Sequence, residues 1–397
     1  MKMKFVINHL NQKARTGFLK EIESMPGVVY ETPLLLHYTK GANLPHITRE
    51  VFEMITKNPE AISVSLTSTM TFLKSLEDFK DGIAKFAAMG DCLTYLSFQD
   101  TGVKSVEGHS DKNNIPLWTR HGKVLLDPTK YIDIISKFKP DIYHTLCDDN
   151  TGPNSSEKLL TKAVSKSNEM FNKCMELHVD NKWLMQNCFV LAAVTGGYSK
   201  NHCENSLKCI LESKYFSSVG GILINGLQAN GPFNENLCND DFYKIIEYVI
   251  SNSPPSLLRS VSGSFPPIII MKLISLGIDV FDTSYANNAT ERNCALTFSF
   301  EPKNQNGNEA EINLADDKYK EDFTPLLKDC QCLACTKHTK AYVNHLTATK
   351  ELLGSVLLAI HNTHHYMKFF ETIRKNINEN NFDSLKQHIE MQYEKNS

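Results

Sequence analysis

Short runs of apolar, β-branched and aromatic residues recur through this sequence at Ile62–Leu66, Cys92–Phe98, Asp141–Cys147, Cys188–Val194, Gly220–Ile224, Leu257–Val261 and Ile278–Phe281. They lack the polar alternation of a half-exposed strand. They therefore predict strands covered on both faces, as in a parallel sheet wrapped by helices. The intervening segments have helical spacing. Leu159–Leu177 sets Leu160, Ala163, Val164, Met170 and Cys174 on one face, and Phe242–Ile250 does the same with Phe242, Ile245, Ile246 and Val249. Strand then helix, repeated roughly every 20–45 residues, is the pattern of α/β architecture. About eight such units in roughly 300 residues favour a closed (β/α)8 barrel of the TIM type over a doubly wound open sheet. Several presumed strand ends carry polar or glycine-rich segments: Asp148-Asp149-Asn150, Thr195-Gly196-Gly197, Asn225-Gly226 and Asp282-Thr283. In a barrel, those ends line the mouth where chemistry is done.

The polar, turn-rich stretch 302–320 reads as a linker or surface insertion. It divides the chain into a barrel over 1–301, the linker over 302–320 and a zinc-binding segment with C-terminal helices over 321–397. In the last part a cysteine cluster precedes a long predicted helix from about His345 to Ile373 and a final one over Asp383–Glu394. An apolar fraction of 41% lets a chain of this length bury a large core without disulfides. The net charge of −3 does not advertise nucleic-acid binding, and it leaves room for a local basic face. Eleven cysteines, odd in number and mostly scattered, argue for a reducing compartment. The longest apolar stretch, around Ile268–Leu276, is interrupted by Lys272 and Ser275 and is too short to span a bilayer. Residues 1–17 hold no signal-like apolar run, so the expectation is a cytoplasmic protein without an integral membrane segment.

Asp329–Cys335 reads D-C-Q-C-L-A-C. The sulfurs of Cys330, Cys332 and Cys335 can converge on one ion, because only one or two residues separate each pair. A fourth ligand would close a tetrahedron, and a closed nitrogen and sulfur shell marks a structural zinc rather than a catalytic one. His338, His345, His361, His364 and His365 are all available, and a helix folding back over the loop would offer His361.

The cysteine run, followed by Thr339-Lys340-Ala341-Tyr342-Val343-x-His345-Leu346 and then Ile360-His361-Asn362, resembles the zinc domain of the tRNA-guanine transglycosylase family. That resemblance implies His361, in the closing His-Asn pair, as the fourth ligand. Gly277–Asp282 is similar to the family's nucleophile-bearing strand, and Gly226-Leu227 to part of the Gly-Gly-Leu element that reads the base. Tyr38-Thr39-Lys40-Gly41, Pro45–Thr48, Thr290-Glu291-Arg292 with Cys294–Phe298, and Tyr319-x-x-Asp322-Phe323-x-Pro325-Leu326 resemble the accessory branch of the eukaryotic enzyme. The resemblance implies a non-catalytic accessory subunit that helps position tRNA. It would form a heterodimer with a catalytic subunit exchanging guanine for queuine at the anticodon wobble position. It leaves open a homodimer of the isolated chain, and peripheral attachment to the mitochondrial outer membrane.

The family's chemistry uses one aspartate as nucleophile on the ribose and a second to manage protons. Asp282 matches the nucleophile position, although an Asp before Thr283-Ser284 can equally cap a loop or helix. The Asp-Ser-Gly-Gly-Phe-Gln element of catalytic members has no Gly-Gly counterpart in Leu93–Asp100, and Asp100 falls on the wrong side of Phe98-Gln99. Thr195 stands where the base-reading Gln is expected, and the base-reading Asp falls at Cys147 or Asp148. Asn225 replaces the first Gly of Gly-Gly-Leu. The loop Tyr285–Ala289 has no cation until Arg292. These departures favour the accessory reading over a self-sufficient transglycosylase using Asp282, and over a zinc-stapled barrel of unrelated activity. Residues 336–350 carry Lys337, Lys340 and Lys350 with His338 and His345 and no acid, a phosphate-binding face or a solvated helix surface. Leu352, Leu353, Val356, Leu357, Ile360, Tyr366, Phe369 and Phe370 form an apolar stripe for core packing or a dimer interface.

Overall fold

The computed structural model describes residues 2–106, 111, 113–233, 238–300 and 309–394. A small antiparallel sheet comes first, with β1 (Lys4–Asn11), β2 (Ala14–Lys20) and β3 (Tyr30–Thr32) in that order. The barrel begins with β4 (Leu34–Tyr38), β5 (Ala61–Ser65) and β6 (Leu93–Ser97). An antiparallel hairpin, β7 (Ile115–Thr119) and β8 (Gly122–Leu126), is inserted next. The barrel resumes with β9 (Ile142–His144), β10 (Phe189–Val194), β11 (Gly221–Ile224), β12 (Leu258–Val261) and β13 (Val280–Asp282), and parallel pairing of β13 with β4 closes it. The expected (β/α)8 barrel is therefore present. The seven anticipated strands lie within a few residues of their predicted bounds.

The eighth barrel strand, β4, has no counterpart among the strands that the sequence predicts. Its sequence, Leu-Leu-Leu-His-Tyr, is an apolar run too short for periodicity to separate strand from helix. The helix Glu157–Asp180 starts at Ser156, whose hydroxyl accepts the Leu159 amide, and it buries the anticipated Leu160, Ala163, Val164, Met170 and Cys174. The helix Asp240–Ser251 is capped by Asn239 and buries Phe242, Ile245, Ile246 and Val249. These stripes pack on the outside of the barrel, each large side chain contributing roughly 1.5–3 kcal/mol on burial.

Inside the barrel, Leu36, Leu93, Tyr95, Ile142, Leu191, Leu223, Leu258 and Val280 form a separate apolar cluster with Met3, Leu19, Ile22, Met25 and Tyr30 from the N-terminal part. The first sheet thus plugs the end of the barrel opposite the mouth. Two buried carboxylates bind the plug. Asp279 takes Arg15 in a bidentate pair, with Nε at 2.8 Å from Oδ1, and also accepts the Arg259 amide at 2.8 Å. Asp141 accepts the Ser24 hydroxyl and the Thr94 amide.

After the barrel, β14 (Cys294–Leu296) pairs with β15 (Glu311–Asn313). Of the stretch read as linker, 302–308 lie outside the described residues, while Glu311–Asn313 is an ordered strand. The long helix expected over His345–Ile373 is two helices, Lys340–Ala348 and Leu352–Asn378. Lys350 breaks them with φ 57°, and the Glu351 amide turns back to the Leu346 carbonyl at 2.9 Å. The last helix is Phe382–Glu394. Among the described residues no helix is long and apolar enough to cross a membrane.

Candidate metal centre and barrel mouth

Cys332 caps the short helix Leu333–Lys337, and its sulfur accepts the Cys335 amide at 3.3 Å. This turn aims the sulfurs of Cys330, Cys332 and Cys335 at one point. The helix Leu352–Asn378 then brings His361 Nδ1 to 3.8, 3.5 and 3.3 Å from them. All four ligand atoms lie within 4.8 Å of one another. A tetrahedron with metal–sulfur arms of about 2.3 Å and a metal–nitrogen arm of about 2.0–2.1 Å has edges of roughly 3.6–3.8 Å, so the four residues fit a single ion.

The tautomer also fits. His361 Nε2 donates to the Leu296 carbonyl at 2.9 Å, which leaves the Nδ1 lone pair facing the sulfurs. The neighbouring Asn362 accepts the Leu296 amide at 2.9 Å and donates to Thr290 Oγ1 and to the Cys294 carbonyl, each at 2.9 Å. The His-Asn pair therefore grips both faces of one residue of β14, tying the metal loop to the segment that leaves the barrel. The other candidate histidines are placed differently. His365 is buried and bonds the Phe298 carbonyl, His338 stacks on Tyr342, and His345 is exposed.

At the barrel mouth, Asp282 ends β13. Its Oδ1 accepts the Ser284 amide at 2.9 Å and the Ser284 hydroxyl, and its Oδ2 accepts the Thr101 hydroxyl. Burial raises its pKa, while these donors pull it back. Asp282 lines a cavity of about 30 Å³ with Tyr95, Ser97, Gln99, Thr101, His144 and Asn225 among others. That volume holds roughly two waters, far less than a bicyclic purine. His144 is neutral, since burial lowers its pKa to about 4, and both ring nitrogens are engaged by the Phe98 amide and the Thr145 carbonyl.

Other anticipated mouth residues divide. Asn225 reaches the mouth, holding the Gly226 amide and the Cys147 sulfur. Thr195 is fully buried with an unpartnered hydroxyl and lines neither this cavity nor the one adjoining it. Asp148 turns to buried Lys166 at 3.5 Å. Asp149, not singled out by sequence reasoning, lines an adjoining cavity of about 40 Å³ with Gln99, Asn225, Gln228 and Asn230. Burial, reinforced by the charge of Asp148, raises its pKa to about 7. Only the consecutive acids Asp148-Asp149 hinted at it. Asp100 is held by Tyr38 and the Gly102 amide, at 2.7 and 2.9 Å.

A family model described as queuine tRNA-ribosyltransferase matches residues 11–395, nearly the whole chain. The chain belongs to this family. It is 34% identical over 391 residues to queuine tRNA-ribosyltransferase accessory subunit 2 of Drosophila virilis, covering 98% of this chain and 93% of the relative. The protein of the same name from Aedes aegypti is 33% identical over 393 residues, with 98% and 93% covered. That from Drosophila persimilis is 36% identical over 380 residues, with 94% and 89% covered.

Within this queuine tRNA-ribosyltransferase fold, the apolar stripe of the C-terminal helix splits. Leu357, Ile360, Tyr366, Phe369 and Phe370 are buried, whereas Leu352 is 71% exposed. The segment with the cysteine cluster also presents Phe323, Leu333 and Tyr342 to solvent, Phe323 at 76%. The basic face predicted over 336–350 is smaller than its sequence suggests, because Asp322 reaches in to pair with Lys340 at 3.1 Å.

Proposed function

We propose that this chain is the non-catalytic accessory subunit of a queuine tRNA-ribosyltransferase. It pairs with a catalytic relative that exchanges guanine for queuine in tRNA and helps hold that tRNA. The observation that carries the reading is the mouth at Asp282. Both carboxylate oxygens are occupied by the chain's own donors, and the space beside them is too small for a purine. Zinc is the ion we assign to Cys330, Cys332, Cys335 and His361, where it would staple loop to helix without taking part in catalysis. The exposed Phe323, Leu333, Tyr342 and Leu352 supply an apolar surface for the catalytic partner beside that staple. Eleven cysteines, none of them in a disulfide, suit a cytoplasmic setting.

The test is exchange of labelled guanine into tRNA by the purified chain alone and mixed with a catalytic homologue. Silence alone and turnover in the mixture are expected, with Asp282→Asn leaving turnover of the mixture nearly unchanged. Activity of the isolated chain that Asp282→Asn abolishes would instead establish a self-sufficient transglycosylase. A hundredfold loss in the mixture, equivalent to about 2.7 kcal/mol of barrier, would place an active site in this chain.

A further inference from the structure

The segment after β6 does not leave the mouth but is tied across it. Thr101 donates its hydroxyl to Asp282 at the end of β13, and its carbonyl accepts the Gly231 amide at 2.8 Å. Asn230 donates to Ser105 at 3.1 Å and accepts the Ser262 hydroxyl at 3.0 Å, joining the segment to the loops that follow β11 and β12. On the other side Asp100 holds the Tyr38 hydroxyl at the end of β4. The fit is close. A side chain at Gly102 would put its Cβ 2.7 Å from the Tyr38 ring, and one at Gly231 would meet the Lys104 backbone nitrogen at 2.6 Å. Gln99 and Thr101, or Gln99 and Ser105, wall cavities of about 30 and 40 Å³ among the described residues.

We propose that Gln99–Val106 is a built-in strap filling this chain's own barrel mouth, with Asp282 as its post. The mouth is then shut to a purine by the chain's backbone, and not only by the loss of base-reading side chains. Asp282 at the strand end thereby serves as an anchor for the closed state. The strap is a property of the isolated chain, so its test is independent of the pairing proposed above.

The test is hydrogen exchange, resolved at single amides by NMR, on the full-length chain. The Gly102 amide bonds Asp100 Oδ1 at 2.9 Å and the Gly231 amide bonds Thr101 O, so both report whether the strap is down. We expect both to exchange at least about a hundredfold slower than an open loop in the wild type. Thr101→Val removes the hydroxyl at nearly constant volume and is expected to speed them about tenfold, while Thr101→Ser restores wild-type rates. Asn230→Ala, remote from Asp282, is a second release and is expected to speed the Gly231 amide severalfold should Thr101→Val fail to fold. Open-loop exchange in the wild type, or unchanged rates in a folded Thr101→Val or Asn230→Ala, would overturn the strap. Saturable binding of free guanine by the wild-type chain, read by equilibrium dialysis, would overturn it as well.

Discussion

Replacing Arg15 by Met should be among the most damaging single changes outside the metal centre. Arg15 and Asp279 are 2% and 0% exposed, and the guanidinium also serves the carbonyls of Pro255 and Leu257 at 2.6 and 2.8 Å. Removing one partner strands a buried carboxylate, which costs about 3–5 kcal/mol. For 397 residues the unfolding entropy is about 0.8 kcal/mol/K, so the melting temperature should fall by roughly 4–6 °C. Burial already raises the Asp279 pKa, opposed by Arg15, and without Arg15 it rises further. A carboxyl whose folded pKa is raised contributes most below its unfolded value and loses that contribution as pH climbs through the folded one. The deficit of the variant should therefore be largest at neutral pH and shrink toward pH 4. Adding Asp279→Asn removes the stranded charge, so the double variant should be more stable than Arg15→Met at pH 7, by about 1–2 kcal/mol. Calorimetry and urea titration across pH check this. A single-variant loss under about 1 kcal/mol, or a double variant as unstable as the sum of the singles, would refute the buried-pair account.

Three further outcomes are expected. Cys332→Ser, or treatment with a strong chelator, should remove one equivalent of zinc measured by atomic absorption and abolish heterodimer formation in size exclusion. Full retention of both metal and partner would contradict a structural zinc. Asn362→Ala should destabilise the chain by on the order of 3 kcal/mol, because it leaves the Leu296 amide, the Cys294 carbonyl and the Thr290 hydroxyl without a partner; a urea midpoint like wild type would count against the His-Asn grip. Asp149, with its pKa raised to about 7, disfavours folding as pH rises from about 4 through 7, so Asp149→Asn should gain stability relative to wild type at pH 8 and not at pH 4. Parallel pH–stability curves for the two would show that Asp149 titrates normally.

Much of this protein is written in local sequence. Strands such as Phe189–Val194 are buried on both faces, so every residue in them is apolar, and no long-range information is needed to find them. The helix Glu157–Asp180 likewise follows from the spacing of Leu160, Val164 and Cys174 after a capping serine. β4 and the break at Lys350 escaped because Leu-Leu-Leu-His-Tyr and Thr-Lys-Glu carry no strong local preference, and packing decides them. Three of the candidate metal ligands were legible from spacing, because a six-residue stretch keeps the sulfurs of Cys330, Cys332 and Cys335 close together. The fourth was one of five histidines until family resemblance selected it, and the fold explains the choice: only a helix returning over the loop puts Nδ1 of His361 against the sulfurs while Leu296 holds Nε2.

By itself, then, the sequence determined a (β/α)8 barrel and a cysteine-rich loop able to hold a metal, and the family resemblance marked the departures of its base-reading positions. Whether the barrel mouth is open or shut was settled only in three dimensions. Thr101 and Asp282 stand 181 positions apart and Ser105 and Asn230 stand 125 apart, and neither pair leaves a periodic or spacing signal along the chain. Such contacts exist only after barrel closure brings the strand ends to one rim, where a short polar segment can satisfy its hydrogen bonds across the mouth instead of to water.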